Sequence, residues 1–237
     1  LPPNSVGGAR RSLHRDDLLR TAIAIADTEG VGAVTMRRVA AELGVGTMSL
    51  YRHVGSKDDL VTQMADLVFS EATLPVPGPA GWRAKLELVA RHQWNLCWKH
   101  LWLPQAVSFT RPSLAPHMLV HTEWTLAALD GLGLSPQARL QEAISLHSLV
   151  ISSALSAAAE VEAEQESGVT LARWLDGQEA RLDELFATGD FPLLAMAQGQ
   201  SAPDLDALFE YGLGRHLDGF AALIETMRQS VATESGT

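Results

Sequence analysis

The sequence predicts an all-α protein in two parts: a small N-terminal unit built round a helix-turn-helix, then a linker helix leading to a larger helical domain. Three observations carry that prediction. Apolar residues recur at intervals of three and four along most of the chain, with no strand-like alternation of any length. Within residues 35–57, Ala40, Gly44 and Leu50 stand in the order that two crossing helices need. The small residue lets them approach, the glycine reverses the chain, and the leucine docks the second helix on the first. Residues 74–81 then break the helical pattern with three prolines and two glycines, the best domain boundary in the chain. A length of 237 residues holds one large or two small domains with real cores.

Residues 1–12 read as a flexible arm, with Arg10 and Arg11 in reach of a minor groove or phosphates. Residues 16–29 form the first helix, facing Leu18, Leu19, Ala22, Ile23 and Ala26 to the core. Thr35 caps the second helix, because its hydroxyl can accept from an amide left without a partner in the first turn. Met36, Val39, Ala40 and Leu43 give that helix its apolar face, and Gly44 takes positive φ at the reversal. Val45 plugs the turn, while Leu50 and Val54 dock the third helix. Ser56 and Asp59 form a capping box with Asp in place of Glu, opening a fourth helix over 56–71 whose stripe is Leu60, Met64, Leu67 and Val68. Residues 13–73 are thus one unit, 74–81 a linker, 82–229 a second domain and 230–237 a tail. The second domain reads as helices over 82–100, 112–132, 136–164, 170–188 and 204–227, with Pro104 ending or kinking the segment after the first of them. Pro136 suits a first helical position, and 198–203 is a loop. No internal repeat is present.

The outward face of the third helix points to a partner. Thr47, Met48 and Ser49 stand at its start, where a recognition helix meets base edges, and Tyr51, Arg52 and His53 are placed to reach phosphates. Lys57 sits in a first helical turn, where the helix dipole favours acids; a phosphate nearby would account for it. These features indicate double-stranded DNA. The formal net charge of −10 looks wrong for such a partner, but position resolves it. Residues 1–70 hold eight basic and eight acidic residues, so the remainder, with ten and twenty, carries the whole excess. An acidic body tied to a locally basic head repels DNA everywhere except where the head docks.

The single Cys97 excludes an internal disulfide and suits a reducing cytoplasm. No signal peptide and no apolar run of membrane-spanning length is visible, so a soluble cytoplasmic protein is expected. Trp94, Trp98 and Trp102, four residues apart, lie along one helical face if the helix reaches Trp102. Phe109, His117, His121 and Trp124 extend an aromatic lining with a few polar heads, the composition of a small-molecule cavity and equally of a filled core. His117 and His121 with Glu123 lack a His-Glu-x-x-His pattern or a second cluster, so no metal is expected. No nucleophile elbow or phosphate loop is present, so neither enzymatic activity nor a cofactor is expected.

Residues 18–60 resemble the DNA-binding domain of the tetracycline-repressor (TetR) family of bacterial transcription regulators. The resemblance rests on 22–30, on Thr35 to Ala40, on Leu43-Gly44-Val45, and on Leu50 to Val54 with Lys57. It implies that Arg37 meets a base or phosphate, that Gly46, Thr47, Met48 and Ser49 face bases, and that Tyr51, His53 and Lys57 hold phosphates. Arg52 stands where the tetracycline repressor has tryptophan. The segments Thr110-Arg111-Pro112, 129–134 and 209–219 are similar to the C-terminal domain of the subgroup that includes that repressor. Its magnesium-binding histidine is replaced here by Val107, which argues against magnesium–tetracycline and for a more apolar, metal-free effector. The resemblance further implies a homodimer, paired through the 136–164 and 204–227 helices, that represses at a palindromic operator until a small molecule releases it. A constitutive DNA-binding dimer with a filled second domain is the alternative on sequence alone.

Overall fold

A computed structural model describes residues 14–108, 112, 114–197 and 204–235, with side chains to residue 229. The arm over 1–12, Phe109, Thr110 and Arg111, the 198–203 loop and the side chains of the tail lie outside the described residues. Twelve α-helices and one 3₁₀ turn, Val31–Ala33, make up the described chain, with no strand among them.

The head comprises α1 (Arg15–Glu29), α2 (Met36–Leu43) and α3 (Thr47–Leu50), closed by the first half of α4 (Lys57–Phe69). Its local chemistry is the expected one. Thr35 Oγ1 accepts from Arg38 N at 3.1 Å, and Gly44 ends α2 with φ +66°. Ser56 Oγ caps α4 by accepting from Asp59 N at 3.0 Å, and Asp59 reaches back to Gly55 N at 2.8 Å, one residue before the cap. Val39, Leu50 and Leu60 are wholly buried in the head, where α2 and α4 pack on α1 and α3 packs on α2. Only Thr47–Leu50 is α-helical in the third helix; Tyr51, Arg52 and His53 continue it as a tight turn.

The body holds α5 (Trp82–Lys99), α6 (Leu103–Ala106), α7 (Pro116–Ala128), α8 (Pro136–Ser167), α9 (Leu171–Asp176), α10 (Glu179–Phe186), α11 (Pro192–Met196) and α12 (Leu205–Ser235). Helix α5 packs on α7 and α8, with α12 against α8, while α4 touches both α1 and α7 and so belongs to both parts. Several boundaries differ from the sequence reading. The helix expected from residue 112 begins at Pro116, a proline at the first helical position; Pro112 lies in the segment before it. The helix expected over 170–188 is two, interrupted at Gly177, and the last helix runs on to Ser235. Helix α8 contains an 18-residue stretch of mean hydropathy 1.4, long and apolar enough to cross a membrane, where the sequence reading saw no such run. Only 39% of that stretch is buried within the chain, so much of its apolar surface is uncovered here.

Candidate functional site

Two surfaces and a seam between them concentrate the functional chemistry. The first is the outward face of the head. Met48 is 78% exposed at the start of α3, on a helix whose Leu50 is fully buried, so the helix is anchored by one side and presents the other. Gly46, Tyr51, Arg52 and Lys57 are exposed around it, with Thr47, Ser49 and His53 half-buried. Arg52 donates to Ser49 Oγ at 3.3 Å. The two arginines of α2 differ: Arg38 is tied to Glu29 at 2.8 Å and Glu42 at 2.6 Å, and these acids push its pKa further up. Arg37 is exposed and makes no ion pair among the described residues.

The second is a cavity of about 290 Å³ in the body. Phe69 at the end of α4, Gln93 of α5, Val107 and Ser108 after α6, Met118 and Thr122 of α7, and Ile144, His147 and Ile151 of α8 line it, among others. Of the expected lining, Trp94, Trp98, Trp102, His117, His121 and Trp124 are all absent from the described side chains that surround it. Helix α5 ends at Lys99, so Trp102 leaves the face that carries Trp94 and Trp98. Trp94 stacks on Phe209 with centroids 4.3 Å apart and donates to Asp206 at 2.8 Å; Trp98 meets Trp94 edge-on. Trp94 thus serves the contact of α5 with α12. Trp124 donates to Pro75 O at 3.1 Å and fills the space beside Gly78, packing the linker onto α7.

Sequence reasoning missed the whole of the described lining, Phe69, Gln93, Ile144, His147 and Ile151 among it. His147 carried a signal: it is the imidazole in the stretch from Ala143 to Ile151 of α8, whose other residues are aliphatic apart from Ser145 and Ser148.

The seam is polar. Asp27 Oδ1 of α1 accepts from His100 Nδ1 and Trp102 Nε1, each at 2.7 Å, and Glu71 pairs with Lys99. Asp66 of α4 caps α7: its carboxylate accepts from the His117 and Met118 amides at 2.8 and 3.1 Å and from His117 Nδ1 at 2.9 Å. His121 Nε2 donates to Phe69 O at 3.2 Å, and burial holds its pKa down. His117 and His121 therefore turn to different partners.

A small helical reader joined by a shared helix to a larger, cavity-bearing helical domain defines a DNA-binding transcription regulator rather than an enzyme. Residues 18–64 match the bacterial regulatory proteins of the tetR family, and residues 74–224 match the tetracyclin repressor-like C-terminal domain. The chain belongs to the TetR family of transcriptional regulators. It is 37% identical over 223 residues to the HTH-type transcriptional repressor DrrR1 of Streptomyces coeruleorubidus, covering 93% of this chain and 82% of that one. It is 29% identical to an HTH-type transcriptional regulator of Saccharopolyspora erythraea, over 93% of this chain and 89% of the relative. Among solved structures, the TetR-family protein ActR of Streptomyces coelicolor in complex with actinorhodin superposes with a TM-score of 0.76 at 30% identity, covering 90% of this chain and 99% of that one.

Proposed function

We propose that the protein is a homodimeric repressor of a palindromic operator, released when a small, largely apolar molecule enters the body cavity. One observation carries the reading: the cavity is walled by Phe69, the last residue of the helix that holds the head, and by Met118, whose amide grips Asp66 of that same helix. A ligand that moves the first turn of α7 moves α4, and the head with it. The named relatives support the reading, one as a repressor and one as a complex with a small molecule. A filled second domain, the alternative, sits poorly with the cavity.

In this reading Gly46, Thr47, Met48 and Ser49 face bases, Arg37 meets a base or phosphate, and Tyr51, His53 and Lys57 hold phosphates, with Arg52 beside them. The dimer forms on the faces the single chain leaves bare. Ser152, Leu155, Ser156 and Ala159 are exposed at helical spacing on α8, and Leu208, Tyr211 and Leu223 on α12. Pairing these faces covers the apolar surface of α8 and sets two α3 helices about 34–36 Å apart, one turn of DNA. A protein working on chromosomal DNA in this way acts in the cytoplasm.

The test is binding of the purified protein to its own upstream DNA as a salt series, beside Tyr51→Ala and Lys57→Ala. Palindrome-specific binding weakened by both changes, with a shallower salt slope for the lysine variant by about one unit, is the expected result. A random-sequence selection that returns no motif would overturn it.

A further inference from the structure

The cavity has a floor and a mouth. On α8, Leu140, Ile144, His147 and Ile151 follow at intervals of four, three and four, so they share one face of the helix, and all four line the cavity. Along that face exposure falls from 43% at Leu140 and 41% at Ile144 to 8% at His147 and 5% at Ile151. The rest of the described lining sorts the same way. Phe69 of α4 and Gln93 of α5 are buried, whereas Ser108, Pro112 and Leu114, which lead into α7, and Leu119 in its first turn are exposed. Every exposed residue of the described lining thus lies either between 108 and 119 or in the first half of α8. The cavity opens to solvent there, and Leu114, Leu119, Leu140 and Ile144 give the opening an aliphatic rim.

The floor is poorly suited to polar cargo. No Asp, Glu, Lys or Arg stands in the described lining. Gln93 Oε1 accepts from His147 Nδ1 at 2.8 Å, and Thr122 donates to Met118 O within its own helix. Burial pushes the His147 pKa down to about 4, so even the cavity's own base stays neutral near pH 7. An ion or large polar group carried to the floor would lose its water and find no counter-charge. In the mouth the same group keeps its water, while an apolar body covers the floor and the rim. We infer that the cavity takes its ligand end-on through the mouth between α7 and α8, and that this ligand is amphipathic, with an apolar body leading and a bulky polar group trailing into solvent. This rests on the reading of the cavity as the effector site, and it names the class of effector. Leu119 and Ile144 are then the residues the ligand passes, and Phe69 and Ile151 those it stops against.

The experiment titrates the full chain with three probes: 2-ethoxynaphthalene, the 2-naphthyl ether of tetraethylene glycol, and the naphthalene-2,6-diyl bis-ether of the same glycol. Each titration is repeated against operator-bound protein. The one-tailed probe should bind within about threefold of the ethoxy parent, and the two-tailed probe at least about tenfold more weakly, because one tail must then enter the floor. Ile144→Trp should slow association of the one-tailed probe about tenfold by stopped-flow fluorescence. That position is exposed, so the variant should melt as wild type does, which separates a narrowed mouth from a lost fold. A one-tailed probe more than about tenfold weaker than the parent overturns the inference, as it would if a second copy of the chain sealed the mouth. Two-tailed binding equal to one-tailed overturns the end-on orientation, and an unchanged rate in Ile144→Trp overturns the route. Parent and one-tailed binding that leaves operator affinity untouched supports the mouth and removes the effector role. No binding by any of the three overturns the cavity reading and the inference together.

Discussion

The head and the body are packed to different ends. In the head, Leu18, Val39, Leu50 and Leu60 are each fully buried, and no described residue before Phe69 lines the cavity. In the body, a comparable set of helices leaves about 290 Å³ unfilled and keeps a neutral histidine sealed beside it. A filled core resists deformation and a cavity permits it. The lesson is a division of labour: the part that must hold a fixed shape against DNA is dense, and the part that must respond is hollow. Between them the seam adds hydrogen bonds and ion pairs to an apolar cluster that runs on from head to body.

The largest test of that contrast is in the head. Leu50→Ala should destabilise the protein by about 3 kcal/mol, since a dense site cannot collapse round the lost atoms. Urea denaturation measures it, and a loss below about 1 kcal/mol would mean the head is less tightly built than its burial implies. In the body the leading effect is on pH dependence. The folded-state pKa of His147, about 4, lies below the unfolded value near 6.5, so as pH falls through 6.5 the unfolded chain takes up a proton that the folded chain refuses. Stability should therefore drop by about 2 kcal/mol between about pH 7.5 and pH 5 through this residue alone. His147→Leu should remove that share of the slope, read as the difference between the two proteins' denaturation curves at each pH.

At the seam, Asp66→Ala should cost about 1 kcal/mol and raise amide exchange at His117 and Met118, while amides within α5 keep their protection. Equal exchange in both helices would show that the seam does not hold α7. Least is expected from the surface of the body. Arg91 makes a two-pronged ion pair from α5 to Glu210 of α12 at 2.8 Å, yet its side chain is 45% exposed. Arg91→Met should shift stability by about 0.5 kcal/mol, largely abolished in high salt.

The same contrast explains what the sequence revealed. The head was legible because its signals are local: Thr35 caps an amide three residues on, Ser56 does the same, and Gly44 sits where the left-handed turn must be. The cavity draws on residues from Phe69 to Ile151, and no spacing rule joins Gln93 to a histidine 54 residues away. Tryptophans at intervals of four read alike whether they face a pocket or a neighbouring helix. What decides is the opposing surface, and for Trp94 that is Phe209 and Asp206, the latter 112 residues distant. Trp102 was placed on the same face only by extending a helix that stops at Lys99; its partner is Asp27, in the head. The start of α7 was ambiguous for a similar reason. Ala115, at its N-cap, has no side-chain acceptor, and the carboxylate that serves in its place comes from another helix.

That borrowed carboxylate bears on how such regulators can be recombined. A new promoter specificity is most simply obtained by grafting a foreign head onto an existing sensor, and the obvious splice point is the proline-rich strap at residues 74–81. A graft made there would discard Asp66, and the sensor would arrive with the first turn of α7 unplugged and one wall of its cavity loosened. Chimeras should keep their inducer response only when the join falls ahead of Asp66, or when the incoming head supplies an acid at that position.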